Sequence, residues 1–323
     1  MLVRAQLDFS LLFKLYARHG VVVGMDIKLF RTNKLDIAYF DLGDNDAPVL
    51  FLIHGWPDDA SAWYKLIPAL LDQGYRLIIP YLRGCGPTVF NNKNWPRDGS
   101  AAALVQDVID LADGLLIKSF FLAGHDWGAR VAYQIATLFP ERVKAIAAIA
   151  LPYQPRGEFK MPGFKQAKNF WYQWLMMVDA GAVQVASDPV GFAQIQWDTW
   201  SPAGWYDEMD FQTVSLSFQN ADWVNITLNG YRRRFIWAVT DPDYLELSRK
   251  IAVSPNIVVP TLMIQGGADT CDPPQDSEGF EGYFKSGYQR TVLDGVGHFP
   301  MREASTEMAD ALLTHFNSFR NSI

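Results

Sequence analysis

The sequence predicts an α/β architecture: a mostly parallel sheet flanked by helices and interrupted by an inserted helical unit. Two observations carry this. Short apolar runs of strand length alternate with helical stretches over residues 49–150 and again from Thr261 onward, as in a sheet covered on both faces. Between them the rhythm stops, and residues 153–253 hold seven of the chain's eleven tryptophans.

The elements follow in order. Residues 26–31 and Leu35–Leu42 alternate apolar and polar side chains around Thr32-Asn33-Lys34, the pattern of an antiparallel hairpin. Val49–Ile53 reads as a strand buried on both faces. A helix follows over about 60–71, then a strand at 76–79. Ser100 caps a helix that reaches about Leu115. Residues 119–123 form the next strand, Trp127–Leu138 a helix stopped by Pro140, and 143–150 a strand. The insertion carries helical stretches at 166–180, 189–198, 211–216 and 223–235. Strands at 261–265 and 290–293 and a helix at 306–319 complete the core. The expected division is a core of 25–152 and 254–323, a helical cap of 153–253, and an N-terminal extension of 1–24. In the extension, Asp8, Lys14, Arg18 and His19 interrupt an apolar stretch that would otherwise approach the ~20 residues of a membrane span. It reads as a partly amphipathic helix, or a leader, outside the core, with at most weak membrane association.

Composition bounds the function. The chain has 323 residues, 49% of them hydrophobic and 20% charged, as in an ordinary globular protein. A net charge of −7 argues against a phosphate-binding surface, and so against nucleic acid. The two cysteines, Cys85 and Cys271, form no C-x-x-C pair, which suits a reducing, cytoplasmic location. The five histidines lack metal-ligand spacing, so neither a metal nor a cofactor is expected.

Gly124-His125-Asp126-Trp127-Gly128 sits between a predicted strand and a helix, the context of a nucleophile elbow, G-x-Nuc-x-G. The turn is so tight that side chains at the glycine positions would strike the strand or the helix. An aspartate here would otherwise be a helix N-cap. As a nucleophile it points to displacement at saturated carbon. A carboxylate is ionised at neutral pH without help from a base, and the ester it forms can be cleaved by water at the enzyme's own carbonyl. Gly297-His298-Phe299-Pro300 lies between the last strand and the last helix, and Asp269 follows the preceding strand. Asp126, Asp269 and His298 thus stand in the order nucleophile, acid, histidine. Asp272 is a rival for the acid, though Pro273 and Pro274 suit it to a turn. In this scheme His298 is the base toward a water, and Asp269 fixes its tautomer. His54-Gly55-Trp56-Pro57 follows the first buried strand. The backbone N–H groups of Trp56 and Trp127 are the expected oxyanion hole, with His54 and Pro57 shaping the loop.

With these pieces the sequence resembles the epoxide hydrolases of the α/β-hydrolase fold over residues 26–320. The motifs are His54-Gly55-Trp56-Pro57, Arg83-Gly84-Cys85-Gly86, Gly124-His125-Asp126-Trp127-Gly128 and Gly297-His298-Phe299-Pro300. Phe170-Trp171-Tyr172-Gln173 and Gly230-Tyr231-Arg232 look like that family's two lid-tyrosine motifs. The resemblance implies that Tyr172 and Tyr231 hydrogen-bond the epoxide oxygen, and that Phe170, Trp171, Gln173 and Phe299 line the substrate site. It implies a small-molecule substrate with water as co-substrate and is compatible with a homodimer, while the many Trp, Phe and Met residues of the insertion suggest that the substrate is largely apolar or aromatic. Haloalkane and haloacid dehalogenases use a similar triad. The former usually place an asparagine or acid where Trp56 stands. The latter place arginines one and four residues past the nucleophile, where this chain has Trp127 and Arg130. An inactive ligand-binding scaffold is a third reading.

Overall fold

The computed structural model describes residues 25–320. Nine strands form one sheet in the order β1-β2-β4-β3-β6-β7-β8-β9, with the two-residue β5 paired to β2. The strands are β1 Lys28–Arg31, β2 Leu35–Leu42, β3 Val49–Ile53, β4 Arg76–Pro80, β5 Val89–Phe90, β6 Phe120–His125, β7 Val143–Ile149, β8 Thr261–Gly266 and β9 Tyr288–Leu293. β1, β2 and β5 pair antiparallel, and β2 meets β4 antiparallel. From β4 through β9 the pairing is parallel. The parallel strands β3, β6 and β8 are buried along their whole length, which is why they appear in the sequence as unbroken apolar runs.

Helices cover both faces. In the core they are α1 Ile67–Asp72, α2 Ala101–Gly114 and α3 Trp127–Leu138. The insertion between β7 and β8 contains α4 Phe164–Asn169, α5 Trp171–Met177, α6 Asp179–Ser187, α7 Pro189–Trp200, α8 Glu208–Phe218, α9 Trp223–Arg232 and α10 Leu245–Val253. The short α11 Pro300–Glu303 and the final α12 Ser305–Asn317 return to the core.

Two helices divide where the sequence suggests one. The stretch 60–71 splits into a 3₁₀ turn, Ala60–Trp63, and α1, because Pro68 near the start of α1 has no N–H to bond back into the preceding turn. The stretch 166–180 becomes α4, α5 and α6, with Val178 extended between the last two. At Gly181 a Cβ would stand 1.9 Å from the Leu175 carbonyl oxygen, so α6 turns back tightly against α5. The expected helix over 1–24 lies outside the described residues. No helix among the described residues is long and apolar enough to cross a membrane.

Candidate active site

The carboxyl ends of adjacent parallel strands converge on one place, as open α/β sheets require of a binding site. β3 leads into His54–Pro57, β6 into Asp126, β8 into Asp269 and β9 into His298. Asp126 has φ 48° and ψ −110°, a left-handed conformation that costs a non-glycine residue roughly 1–3 kcal/mol. The elbow explains why it persists. A Cβ on Gly124 would lie 2.0 Å from the Gly128 oxygen, and one on Gly128 would lie 2.2 Å from the Ile53 oxygen. Strand, turn and helix are therefore in backbone contact, and Asp126 is the residue left to absorb the bend. Its side chain makes no helix-capping bond, so the N-cap role is not the one it plays. Instead Oδ1 accepts from the Trp56 N–H at 2.9 Å, and Oδ2 lies 4.0 Å from His298 Nε2.

His298 is fully buried. Its Nδ1 is 2.8 Å from Asp269 Oδ2. Asp269 also accepts from the N–H groups of Cys271 and Asp272 at 2.8 and 2.9 Å and from Gln265 Nε2 at 3.1 Å. Asp269, not Asp272, is thus the acid on the histidine. Burial alone would lower the His298 pKa, but Asp269 and Asp126 outweigh it and hold the ring at about 9. The side of His298 that faces Asp126 is bare, for Nε2 finds no hydrogen-bond partner among the described residues. The loop is pinned from beneath. His298 N–H donates to Ser201 Oγ at 2.8 Å, and Glu303 accepts from the N–H groups of Gly297 and Phe299. His125, which the sequence reading left without a role, meets the His298 carbonyl through Nε2 at 2.7 Å. Burial lowers the His125 pKa to about 4.

Above the elbow lies a cavity of about 290 Å³, with Asp126, Phe170, Tyr172, Gln173, Tyr231 and Asp272 among its walls. Tyr172 comes from α5 and Tyr231 from α9. Their rings meet edge-on at 5.4 Å, and both pack against Trp56. Burial pushes both phenols well above the usual 10. Gln173 donates to the Tyr172 hydroxyl at 3.0 Å and accepts from Arg234.

Two expected lining residues are elsewhere. Trp171 is 37% exposed and packs edge-on against Phe192, because neighbours on a helix point about 100° apart and Tyr172 and Gln173 take the inner face. Phe299 is turned under the insertion, stacked 4.6 Å from Trp205 and beside Trp197. The wall is also less apolar than the tryptophan count suggested. No tryptophan lines it, whereas Glu158, Lys160, Gln166, Arg234 and Asp276 do. Arg130 is not on this wall and faces a separate, smaller void with Tyr133 and Gln134. Cys271, Asp272 and His298 each bring one donor atom within 4.8 Å of the others, the kind of group that holds a metal ion. Cys271 was not recognised as part of the site in the sequence, and Asp272 only as a rival for the acid.

A family model described as the alpha/beta hydrolase fold matches residues 48–304. The chain belongs to the α/β-hydrolase family. This hydrolase is similar to epoxide hydrolase A of Mycobacterium tuberculosis, with 26% identity over 314 residues, 88% of this chain and 95% of that one. A solved structure from Klebsiella pneumoniae, assigned as an epoxide hydrolase, superposes with a TM-score of 0.85 at 32% identity, covering 90% of this chain and 97% of that one. Potato epoxide hydrolase I gives a TM-score of 0.74 over 91% of this chain and 100% of its own, and at 22% identity it shows the shared fold. The hydrolase groups with enzymes that carry the epoxide hydrolase name.

Proposed function

We propose that the chain hydrolyses an epoxide to a vicinal diol through an ester on Asp126. The observation that carries this reading is one cavity walled by both a strained carboxylate and two buried phenols, Asp126 below and Tyr172 and Tyr231 above. Oδ2 attacks an oxirane carbon, the C–O bond breaks, and a phenol hydroxyl gives its proton to the departing oxygen. An alkoxide is a poor leaving group, so it needs this acid. His298 then takes a proton from water as the water attacks the ester carbonyl. The oxygen that Trp56 N–H holds becomes the oxyanion of the tetrahedral intermediate, with the Trp127 N–H as the second donor.

The electrostatics order these steps. Asp126 is one of the charges that hold the His298 pKa high. Esterification removes that charge, which lowers the ring's affinity for a proton at the stage where a base is needed. A dehalogenase has less support. The Trp56 indole N–H donates to Thr227 Oγ1 at 3.0 Å, where it would otherwise hold a halide, and Arg130 does not reach the cavity wall. We infer a substrate that joins an apolar body to polar groups, matching the mixed wall. We also take 25–152 with 254–323 as the core domain and 153–253 as the cap.

Single turnover in heavy-oxygen water tests the mechanism. The label should enter the Asp126 carboxylate, with the first-turnover diol unlabelled, because water attacks the ester carbonyl. Label in the first diol would mean that water attacks the epoxide directly.

A further inference from the structure

A proton donor is useful only if its hydrogen points at the acceptor. On a wall with polar groups, a phenol hydrogen can be captured by a neighbouring oxygen instead. At Tyr172 that neighbour is the side-chain amide of Gln173, whose nitrogen lies 3.0 Å from the hydroxyl. The two ends of an amide have similar shape and opposite character. Its N–H leaves the phenol hydrogen free, whereas its oxygen would take that hydrogen for itself.

We propose that Arg234 fixes which end of the Gln173 amide faces Tyr172, and so keeps the phenol hydrogen available to the epoxide oxygen. The inference rests on the epoxide-opening reading above. A guanidinium has N–H donors and no acceptor. Arg234 Nη1 lies 3.0 Å from Gln173 Oε1. Only the amide oxygen can face it, because turning the amide over would set donors against each other. The amide nitrogen is thereby committed to the Tyr172 oxygen. That oxygen accepts the bond, so the hydroxyl must turn its own hydrogen elsewhere. Its other contact among the described residues is Cys271 Sγ, 3.8 Å away and a weak acceptor, and the cavity lies open beside it.

Local structure puts Arg234 in place. It follows Tyr231 by three residues just past α9, and its N–H still donates to the Tyr231 carbonyl at 3.1 Å. One turn on, its side chain returns over the Tyr231 ring. The guanidinium stands 4.8 Å from the centre of that ring and 5.1 Å from the centre of Phe159, so two aromatic faces hold the fork that Gln173 meets. Gln173 is 1% exposed, and bulk water does not compete for its amide. As the epoxide oxygen takes the proton, negative charge grows on the Tyr172 oxygen, where the amide N–H already points. A cation at the far end of the amide strengthens that donor. Gln173 and Arg234 are thus positioning residues that act through Tyr172.

Quenched-flow single turnover of the full chain, with intact-mass detection of the Asp126 ester, separates alkylation by an epoxide from ester hydrolysis. Gln173→Glu is nearly isosteric and can pair with Arg234, but it offers the phenol only acceptors. It should slow alkylation about 100-fold, the lower end of what a positioned acid contributes, and leave ester hydrolysis within about twofold of the parent. Gln173→Met fills the space without taking the hydrogen and should slow alkylation only about 10-fold, less than the loss of the acid itself. Arg234→Met frees the amide to turn and should also slow alkylation about 10-fold, whereas Arg234→Lys, another cation with donors only, should restore most of the rate. A packing role predicts the opposite order at position 173, with the isosteric change the milder one. The proposal is overturned if Gln173→Glu alkylates as fast as Gln173→Met or faster, if Arg234→Lys is as slow as Arg234→Met, or if alkylation and ester hydrolysis slow together. If Gln173→Glu does not fold, the Arg234 pair decides by the same criteria. If the parent forms no ester on Asp126 with any epoxide, the underlying reading fails first, before any variant is compared.

Discussion

At His298 the nitrogen that faces Asp126 has no hydrogen bond, while the opposite one is held by Asp269 at 2.8 Å. A base arranged this way can act on a water but does not need to activate the carboxylate. His298→Gln should therefore still be alkylated at Asp126. Turnover should fall by ~10²–10⁴-fold, the usual worth of a general base. Intact-protein mass measurement after brief exposure to substrate should find the adduct as the main species, and an unmodified protein with normal turnover would refute the division of labour. The phenols make a second residue-scale prediction. Tyr172→Phe and Tyr231→Phe should each slow alkylation by an epoxide about 10-fold or more, because the alkoxide loses a proton donor. They should leave alkylation by a haloalkane of similar shape nearly unchanged. Equal rates for parent and double variant on the best epoxide would make both rings packing residues only.

The elbow works as one element. Gly128→Ala would place a methyl 2.2 Å from the Ile53 oxygen and 2.8 Å from the His54 oxygen, both backbone atoms that cannot swing away. The cost should be roughly 1–3 kcal/mol or more, as for overpacking elsewhere, seen as a lowered Tm together with lost activity. A parent-like Tm would mean that strand and helix have more freedom than their contacts suggest. At this scale the sequence was most legible where physics is local. β2, β3 and α3 have the predicted bounds, because apolar runs and a stopping proline mark them. β5 was not legible, since two residues carry no period and only pairing with β2 defines it. α10 was also missed. It is only nine residues long, and Ile251 is its one buried side chain. The gathering of Asp126, Asp269 and His298 in one place was legible, because their order follows the strand ends. Asp272 read as a turn residue because its prolines were visible and its burial was not. Trp171 and Phe299 were misplaced because the family motif names a neighbourhood, whereas helix phase and stacking decide which way a ring points.

Across the whole molecule, burial lowers the pKa of three histidines, His54, His125 and His315, and so makes the fold less stable toward acid pH. Burial lowers His125 and His315 to about 4, from 6.5 for a free imidazole. Between those values the unfolded chain binds protons that the folded chain refuses. Their contribution is therefore complete above pH 6.5 and is lost as the pH falls toward 4. His298 runs the other way. Its raised pKa contributes fully below 6.5 and fades as the pH rises through about 9. Tm should therefore fall steeply below pH 6.5, by at least several degrees. His315→Gln, which can still donate to the Ile146 carbonyl that Nε2 meets at 3.0 Å, should make that slope shallower. An unchanged slope would remove His315 from the account.

The packing of Trp56 also has an optical consequence. Its indole lies nearly parallel to the rings of Tyr172, 5.7 Å away, and Trp223, 6.0 Å away, with Trp200 tilted at 5.9 Å. Trp56 belongs to the sheet's loop, and the other three belong to the inserted helices. Chromophores this close share their excited states, so the near-ultraviolet dichroism and the emission of this cluster depend on how the helices sit over the sheet. The unlabelled chain thus carries its own ruler, and a stopped-flow trace of tryptophan emission can time the arrival of a colourless substrate beneath the lid.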